Sequence, residues 1–373
     1  MLRTRLCELL SIEIPILGAP MGPEIASLEL AAAVSNAGGL GTISFGGYAP
    51  VALKERIRKL RTLTSKPFGV NVILGGPHLP LPESAFVDAC LEEQVPVLSF
   101  FWGDCTPYVE KAHKLGIKVC DQVGSVSAAK RAQRAGVDFI IAQGVEAGGH
   151  VAGTVGSMVL LPRVADSVMP IPVVAAGGIA DGRGLAAALA LGAQGVVLGT
   201  RLLAATESNT HEVYRTKILA ATEEDTVRTT LFGNEWPNAP HRTLRTSFVE
   251  QWLSQEKRGS EQWADEPIVG TVSFGGNRVP LRRFGGIPPA NDAVGDVESM
   301  DFLAGQSVGL VQEIKPAAEI IGEVAAQAEH TLALTHEFMQ CPETLGEVTF
   351  RPRSAPASRL NEKPLAKMQA KHL

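Results

Sequence analysis

The chain is predicted to fold as an α/β protein of the TIM-type (β/α)8 barrel class, with an inserted lid and carboxyl-terminal helices. Three observations carry that expectation. Strand-length apolar runs alternate eight times with helical periodicity between residues 14 and 198, joined by short connections, as a parallel sheet requires. Two consecutive glycine turns, Gly177-Gly178 and Gly199, follow the seventh and eighth runs, where barrels of this type hold phosphate. The first βα turn carries no Gly-x-Gly-x-x-Gly, which an open doubly wound sheet binding a dinucleotide would place there.

In chain order, Ile14–Met21 reads as the first strand and its turn, and Ser27 can cap a helix over Leu28–Ala37 that Gly38-Gly39 stops. Leu40–Phe45 is the second strand and Pro50–Leu63 a basic amphipathic helix. Pro67–Leu74 is the third strand and carries one polar residue. In a buried strand Asn71 needs a partner, either neighbouring backbone or a ligand. Helices over Pro82–Gln94 and Pro107–Leu115 alternate with strands Val95–Phe101 and Lys118–Val123, and Ser125–Lys130 opens the next helix.

The sixth strand, Val137–Ala142, leads into Gln143 and then a stretch in which five of thirteen residues are Gly, so His150 falls on a glycine-rich loop at a strand's carboxyl end. A helix over Met158–Val168, the strand Ile171–Ala176, a helix over Leu185–Leu191 and the strand Gly195–Leu198 complete the eightfold pattern. His211–Ala221 is helical by period. Residues 222–299 then mix charges, Trp236, Trp252, Trp263 and two Gly-Gly pairs, and read as a lid over a barrel of residues 1–221 and 300–340. Met300–Leu310 and Ala317–Ala328 resume helical periodicity, with Gln306 either a satisfied helix residue or a ligand contact. Residues 341–373 read as a mobile tail.

Composition narrows the function. The 373 residues hold 45% hydrophobic and 20% charged residues, which suits an enzyme with a sizeable core. A net charge of −5 gives no footprint for nucleic acid, and no apolar run is long enough to span a membrane. The five cysteines lack metal-ligand spacing, and their odd number suits a reducing cytoplasm. The expected partner is a small-molecule substrate, with a homodimer as the candidate assembly and no metal site.

Five segments together, Gly18-Ala19-Pro20-Met21, Phe68-Gly69-Val70-Asn71, Gln143–His150, Ala175–Gly182 and Leu198-Gly199-Thr200-Arg201, resemble the nitronate monooxygenase (nitropropane dioxygenase-like) family. The resemblance covers residues 5–205 closely and the rest loosely. It implies an FMN-dependent oxidoreductase that oxidises alkyl nitronates with oxygen to a carbonyl compound and nitrite. By matching position, Ala19-Pro20-Met21 would lie along the isoalloxazine, while Asn71, Gln122 and Gln143 would meet its polar edge or the ribityl chain. Gly148, Gly149, Gly177, Gly178, Gly199 and Thr200 would hold ribityl and phosphate, Gln306 would complete the cofactor set, and His150 would be catalytic. Glu146 is a candidate partner for His150, with a structural hydrogen bond to backbone as the alternative.

One departure matters. The late tyrosines and lysine that line the pocket of characterised family members have no tyrosine counterparts here, because Tyr48, Tyr108 and Tyr214 are the only tyrosines. The same His150 loop resembles that of FMN-dependent enoyl-acyl-carrier reductases and NAD(P)H:quinone reductases, whose carboxyl-terminal segment Ala304-Gly305-Gln306 also resembles. That alternative implies NAD(P)H as co-substrate. An IMP dehydrogenase-like barrel would need a cysteine within Gly144–Gly156, which has none, and a flavin-binding regulatory module would not need the intact His150 loop.

Overall fold

Strand β1 (Ile16–Gly18) has β9 (Gly195–Leu198) as its parallel neighbour, and from there the sheet runs through β8 (Val173–Ala176), β6 (Phe139–Gln143), β5 (Lys118–Val123), β4 (Val97–Phe101), β3 (Phe68–Ile73) and β2 (Gly41–Ser44). A parallel bridge between Leu17 and Leu40, with Leu40 donating to Ile16 O at 3.0 Å, brings the last strand back to the first. The eightfold barrel is thus as expected. The structure, a computed structural model, describes residues 2–76, 81–261 and 265–339. Trp263 and the tail, residues 341–373, lie outside the described residues.

Successive strand residues point to opposite faces, so each barrel strand feeds two cores. Inward, Leu17, Val97, Cys120, Phe139, Ile141, Val174 and Val197 form a packed column. Its amino-terminal end is closed by Leu6, Cys7 and Leu10 of α1 (Arg5–Leu10), a short helix that the sequence reading did not identify. Outward, Val70, Val119, Ile140 and Val196 pack beneath the surrounding helices, among them α2 (Leu28–Asn36), α3 (Pro50–Leu63) and α13 (Ala317–Met339). Ser27 caps α2 by accepting from Leu30 N at 2.8 Å, and Ser125 caps α6 (Val126–Ala135) through Ala128 N at 3.2 Å. Ser27 acts as anticipated, and Ser125 caps the helix that its segment was expected to open.

The helices α7 (Ser157–Val168), α8 (Gly182–Ala190) and α10 (Glu212–Ala220) fall where periodicity put them. Beyond α10 lie two small antiparallel sheets. One orders β10 (Thr226–Thr229), β11 (His241–Leu244) and β7 (Gly149–His150); the other orders β13 (Asn277–Arg282), β12 (Ile268–Phe274) and β14 (Val294–Gly295). Their apolar residues Leu244, Val272 and Leu281 share one cluster with Phe302 and with Ile25, Ala180, Leu203 and Tyr214 at the barrel's carboxyl-terminal face. Residues 1–334 accordingly form one compact unit.

Met300–Leu310 corrects an expectation. Only residues 306–310 turn, as a 3-10 helix, while Leu303 bridges Thr243 of β11 and Leu244 donates to Phe302 O at 2.8 Å. Extended backbone wins here because it satisfies an otherwise open edge of β11.

Candidate active site

At the carboxyl ends of the barrel strands lies a cavity of about 280 Å³. Ala19, Pro20, Met21, Asn71, Gln122, Gln143, Gly148, Gly149, His150, Gly177, Gly178, Gly199 and Thr200 all line it. Gln306 does not: its side chain is exposed, and its backbone N–H donates to Glu146 O at 2.9 Å. Of the residues the sequence singles out for a cofactor, it alone is left outside the cavity wall.

The Gly177-Gly178 turn and the loop at Gly148 each have a physical reason to be glycine. Gly177 and Gly178 have φ of +94° and +75°, the left-handed region that side chains disfavour. A Cβ on Gly148 would stand 2.5 Å from Gly305 N, so the loop and the 304–305 backbone pack with no room between them. Among the described residues, the backbone N–H groups of Gly177, Gly178, Gly199 and Thr200 donate to no other backbone group. Two adjacent turns therefore present unpaired donors, as an anion site requires.

Asn71 is buried on β3 and donates from Nδ2 to Ser99 O at 3.2 Å, so neighbouring backbone holds it while it still borders the cavity. Gln143 donates from Nε2 to His150 O at 3.0 Å. Its buried Oε1 has no partner among the described residues, leaving an acceptor at the cavity wall. Glu146 is not the partner of His150. Its carboxylate accepts from Ser157 N at 2.9 Å and Ser157 Oγ at 3.0 Å, which caps the start of α7. The structural alternative for Glu146 is the one the geometry supports.

The loop carrying His150 is better ordered than its glycine content suggests. Gly149 and His150 form β7, whose Cα partners on β11 are Arg242 and His241, and Val151 N donates to Pro240 O at 2.9 Å. Arg242 reaches from β11 to the loop's start, donating to Val145 O from Nη2 at 2.9 Å and from Nε at 3.1 Å. A strand some ninety residues downstream thus positions the histidine.

Around His150 sits an aromatic wall. Its ring centroid is 4.4 Å from that of Trp236, 6.3 Å from that of Trp102 and 5.6 Å from that of His241. Trp102 holds φ of +85°, a strained conformation for a non-glycine residue, and its ring meets Trp236 edge-on at 4.7 Å. Burial, with His241 alongside, pushes the His150 pKa down to about 3; burial likewise brings His241 down to about 4. Both rings are neutral near pH 7. His241, Arg242 and Trp102 are neighbours of His150 and its loop that sequence reasoning missed. The polar strand His241-Arg242-Thr243 was the available signal, since buried polar residues in a strand demand partners.

The geometry has counterparts in known proteins. The family model described as nitronate monooxygenase matches residues 3–84 and 81–327. A Staphylococcus aureus protein named "Probable nitronate monooxygenase" is 33% identical over 87% of this chain and 97% of its own. A Rhodococcus jostii protein named (3aS,4S,5R,7aS)-5-hydroxy-7a-methyl-1-oxo-octahydro-1H-indene-4-carboxyl-CoA dehydrogenase is 40% identical over 66% of this chain and 67% of its own. The solved structure of FabK from Thermotoga maritima superposes with a TM-score of 0.77 at 41% identity, covering 91% of this chain and 100% of that one. The family match spans the barrel, the His150 loop and the strand that holds it, and the chain belongs to the nitronate monooxygenase family of oxidoreductases.

Proposed function

We propose that this enzyme binds FMN in the cavity described above and oxidises alkyl nitronates with oxygen to a carbonyl compound and nitrite. The observation that carries the reading is the pairing, in one cavity, of two turns with unpaired N–H groups and a neutral histidine. The residues fit the cofactor. The glycine turns Gly177-Gly178 and Gly199-Thr200 would take its phosphate, and the partnerless Oε1 of Gln143 would accept from a ring or ribityl donor. Ala19, Pro20 and Met21 supply a mostly apolar surface for a flat ring. When bound, FMN supplies the electron transfer.

The chain's own residues do the rest. His150 is neutral, so it can accept an acidic C–H proton from a nitroalkane, leaving the nitronate anion in the cavity. A pKa this low argues against a standing positive anchor, and the base role requires the nitronate anion formed beside the ring to raise it back toward neutrality. Trp236, Phe232 and Phe274 give the substrate side of the cavity an apolar lining without tyrosine from beyond residue 214. Trp102 and Trp236 shield the imidazole from water.

A second reading has a specific support. The 40% and 41% identities to a CoA-thioester dehydrogenase and to FabK favour an NAD(P)H-dependent reductase acting on enoyl thioesters. Anaerobic mixing of the flavin-loaded protein, once with an alkyl nitronate and once with NADH or NADPH, separates the two. Bleaching by nitronate alone, with nitrite released on admitting oxygen, is the expected outcome. Bleaching by nicotinamide alone transfers the assignment to the reductase.

A further inference from the structure

We infer that His241 is a positioning residue for His150: a small turn of the two rings joins them by one direct hydrogen bond that fixes His150 as its Nε2–H tautomer and leaves Nδ1 as its basic atom. The inference about the tautomer stands on the fold alone, and its consequence for turnover rests on the function proposed above. His150 and His241 are direct Cα partners across the β7–β11 pair, so their side chains leave the same face. Their ring centroids are 5.6 Å apart, with 59° between the planes. In each ring Nε2 is the nitrogen enclosed by protein without a partner.

Two enclosed nitrogens left unpaired side by side would be unfavourable, and a pair in which one donates and the other accepts removes both penalties. The roles follow from the backbone. Nδ1 of His241 lies 3.1 Å from Ala239 O, and a carbonyl only accepts, so Nδ1 carries the proton and Nε2 of neutral His241 is an acceptor. The donor must then be Nε2 of His150, and a neutral imidazole protonated there keeps its lone pair on Nδ1. This is the logic by which a base is oriented by a third group.

The surroundings leave this arrangement open to few competitors. His150 and His241 face each other, and Arg228 and Glu256 are the charged groups acting on His241. Glu256 already accepts from Thr229 Oγ1 and, at 3.1 Å, from Thr230 N. Arg228 donates through Nη2 to Val151 O at 3.3 Å, and its enclosed Nε is also without a partner. Phe232, with its centroid 5.9 Å from that of His241, offers no hydrogen-bonding group.

Nitrogen-15 spectroscopy of histidine-labelled, flavin-loaded protein reads the tautomer without any substrate. The expected spectrum has His150 protonated at Nε2 and bare at Nδ1. His241→Leu should give a mixture of tautomers at His150, and His241→Gln, which keeps an acceptor near the former Nε2, should restore the single form. With a nitroalkane, His241→Leu should lower kcat/KM by about 10- to 100-fold, as when a group fixing a histidine tautomer is lost, with partial recovery in His241→Gln. A wild-type spectrum showing His150 protonated at Nδ1, or mixed, would overturn the inference even if the leucine variant failed to fold. So would an unchanged His150 tautomer in folded His241→Leu. The correct tautomer without turnover of any nitroalkane would spare the pairing and reject the proposed substrate instead.

Discussion

At the scale of single residues, His150 and the glycine turns make separable predictions. His150→Asn should lose about 10²- to 10⁴-fold in kcat/KM on neutral nitroalkanes, the range of a general base, and spare the pre-ionised nitronate. Its flavin should remain, because the phosphate turns lie on other elements; unchanged kinetics on both substrate forms would remove His150 from the chemistry. Gly199 gives the cleaner test of the phosphate site. Its φ of −111° suits any residue, and the nearest atom to an added Cβ is that of Ala19 at 3.5 Å, so Gly199→Asp can fold while placing a carboxylate where a dianion should sit. Flavin content measured after purification should fall to near zero. Full occupancy would locate the phosphate elsewhere. Gly178→Asp should lose flavin as well, but at φ of +75° backbone strain contributes to its loss.

At the scale of elements, the βα alternation was legible because each unit carries its own signals: an apolar run, a turn, a cap. Ser27, Ser125 and the turns at Gly177 and Gly199 could be read within a few residues of where they act. The pairing of β7 with β11 could not, since two residues in a glycine loop have no periodicity and their partners lie some ninety positions downstream. Met300–Leu310 was misread for a related reason: its spacing of apolar residues fits a helix, but pairing beside Thr243 and the close approach of Gly305 to Gly148 decide the backbone. If β11 holds the His150 loop, Arg242→Met should loosen it. Loss of its charged-donor hydrogen bonds to Val145 O and Thr226 Oγ1, each worth on the order of 1.5 to 3 kcal/mol, should destabilise the protein. Amide exchange at Gly149–Val151 should accelerate ahead of exchange in the barrel strands; uniform acceleration would show that Arg242 supports the whole fold instead.

At the scale of the whole molecule, buried titratable groups placed on either side of neutrality set a stability optimum. His150 and His241 are neutral in the fold, with pKa values near 3 and 4 against 6.5 when unfolded. Between those values the unfolded chain binds more protons, so stability is lost as pH falls below about 6.5. For fully buried His241 that loss is on the order of 3 kcal/mol by the time its folded pKa is reached. Asp301 acts in the opposite sense. It is 1% exposed, the neighbouring Thr243 hydroxyl is the one side-chain donor acting on its carboxyl group, and burial outweighs that donor and raises its pKa to about 8, so the folded protein holds a proton that the unfolded chain has released above about pH 4. Its contribution is therefore full below pH 4 and declines as pH rises to 8. Asp301→Asn keeps the shape and removes the proton, so the variant's melting temperature relative to wild type should climb steadily from pH 5 to pH 8, while the acid limb set by the two histidines stays unchanged. Parallel melting curves for the two proteins across that interval would mean that Asp301 is ionised in the fold, with a cation or water supplying partners beyond Thr243.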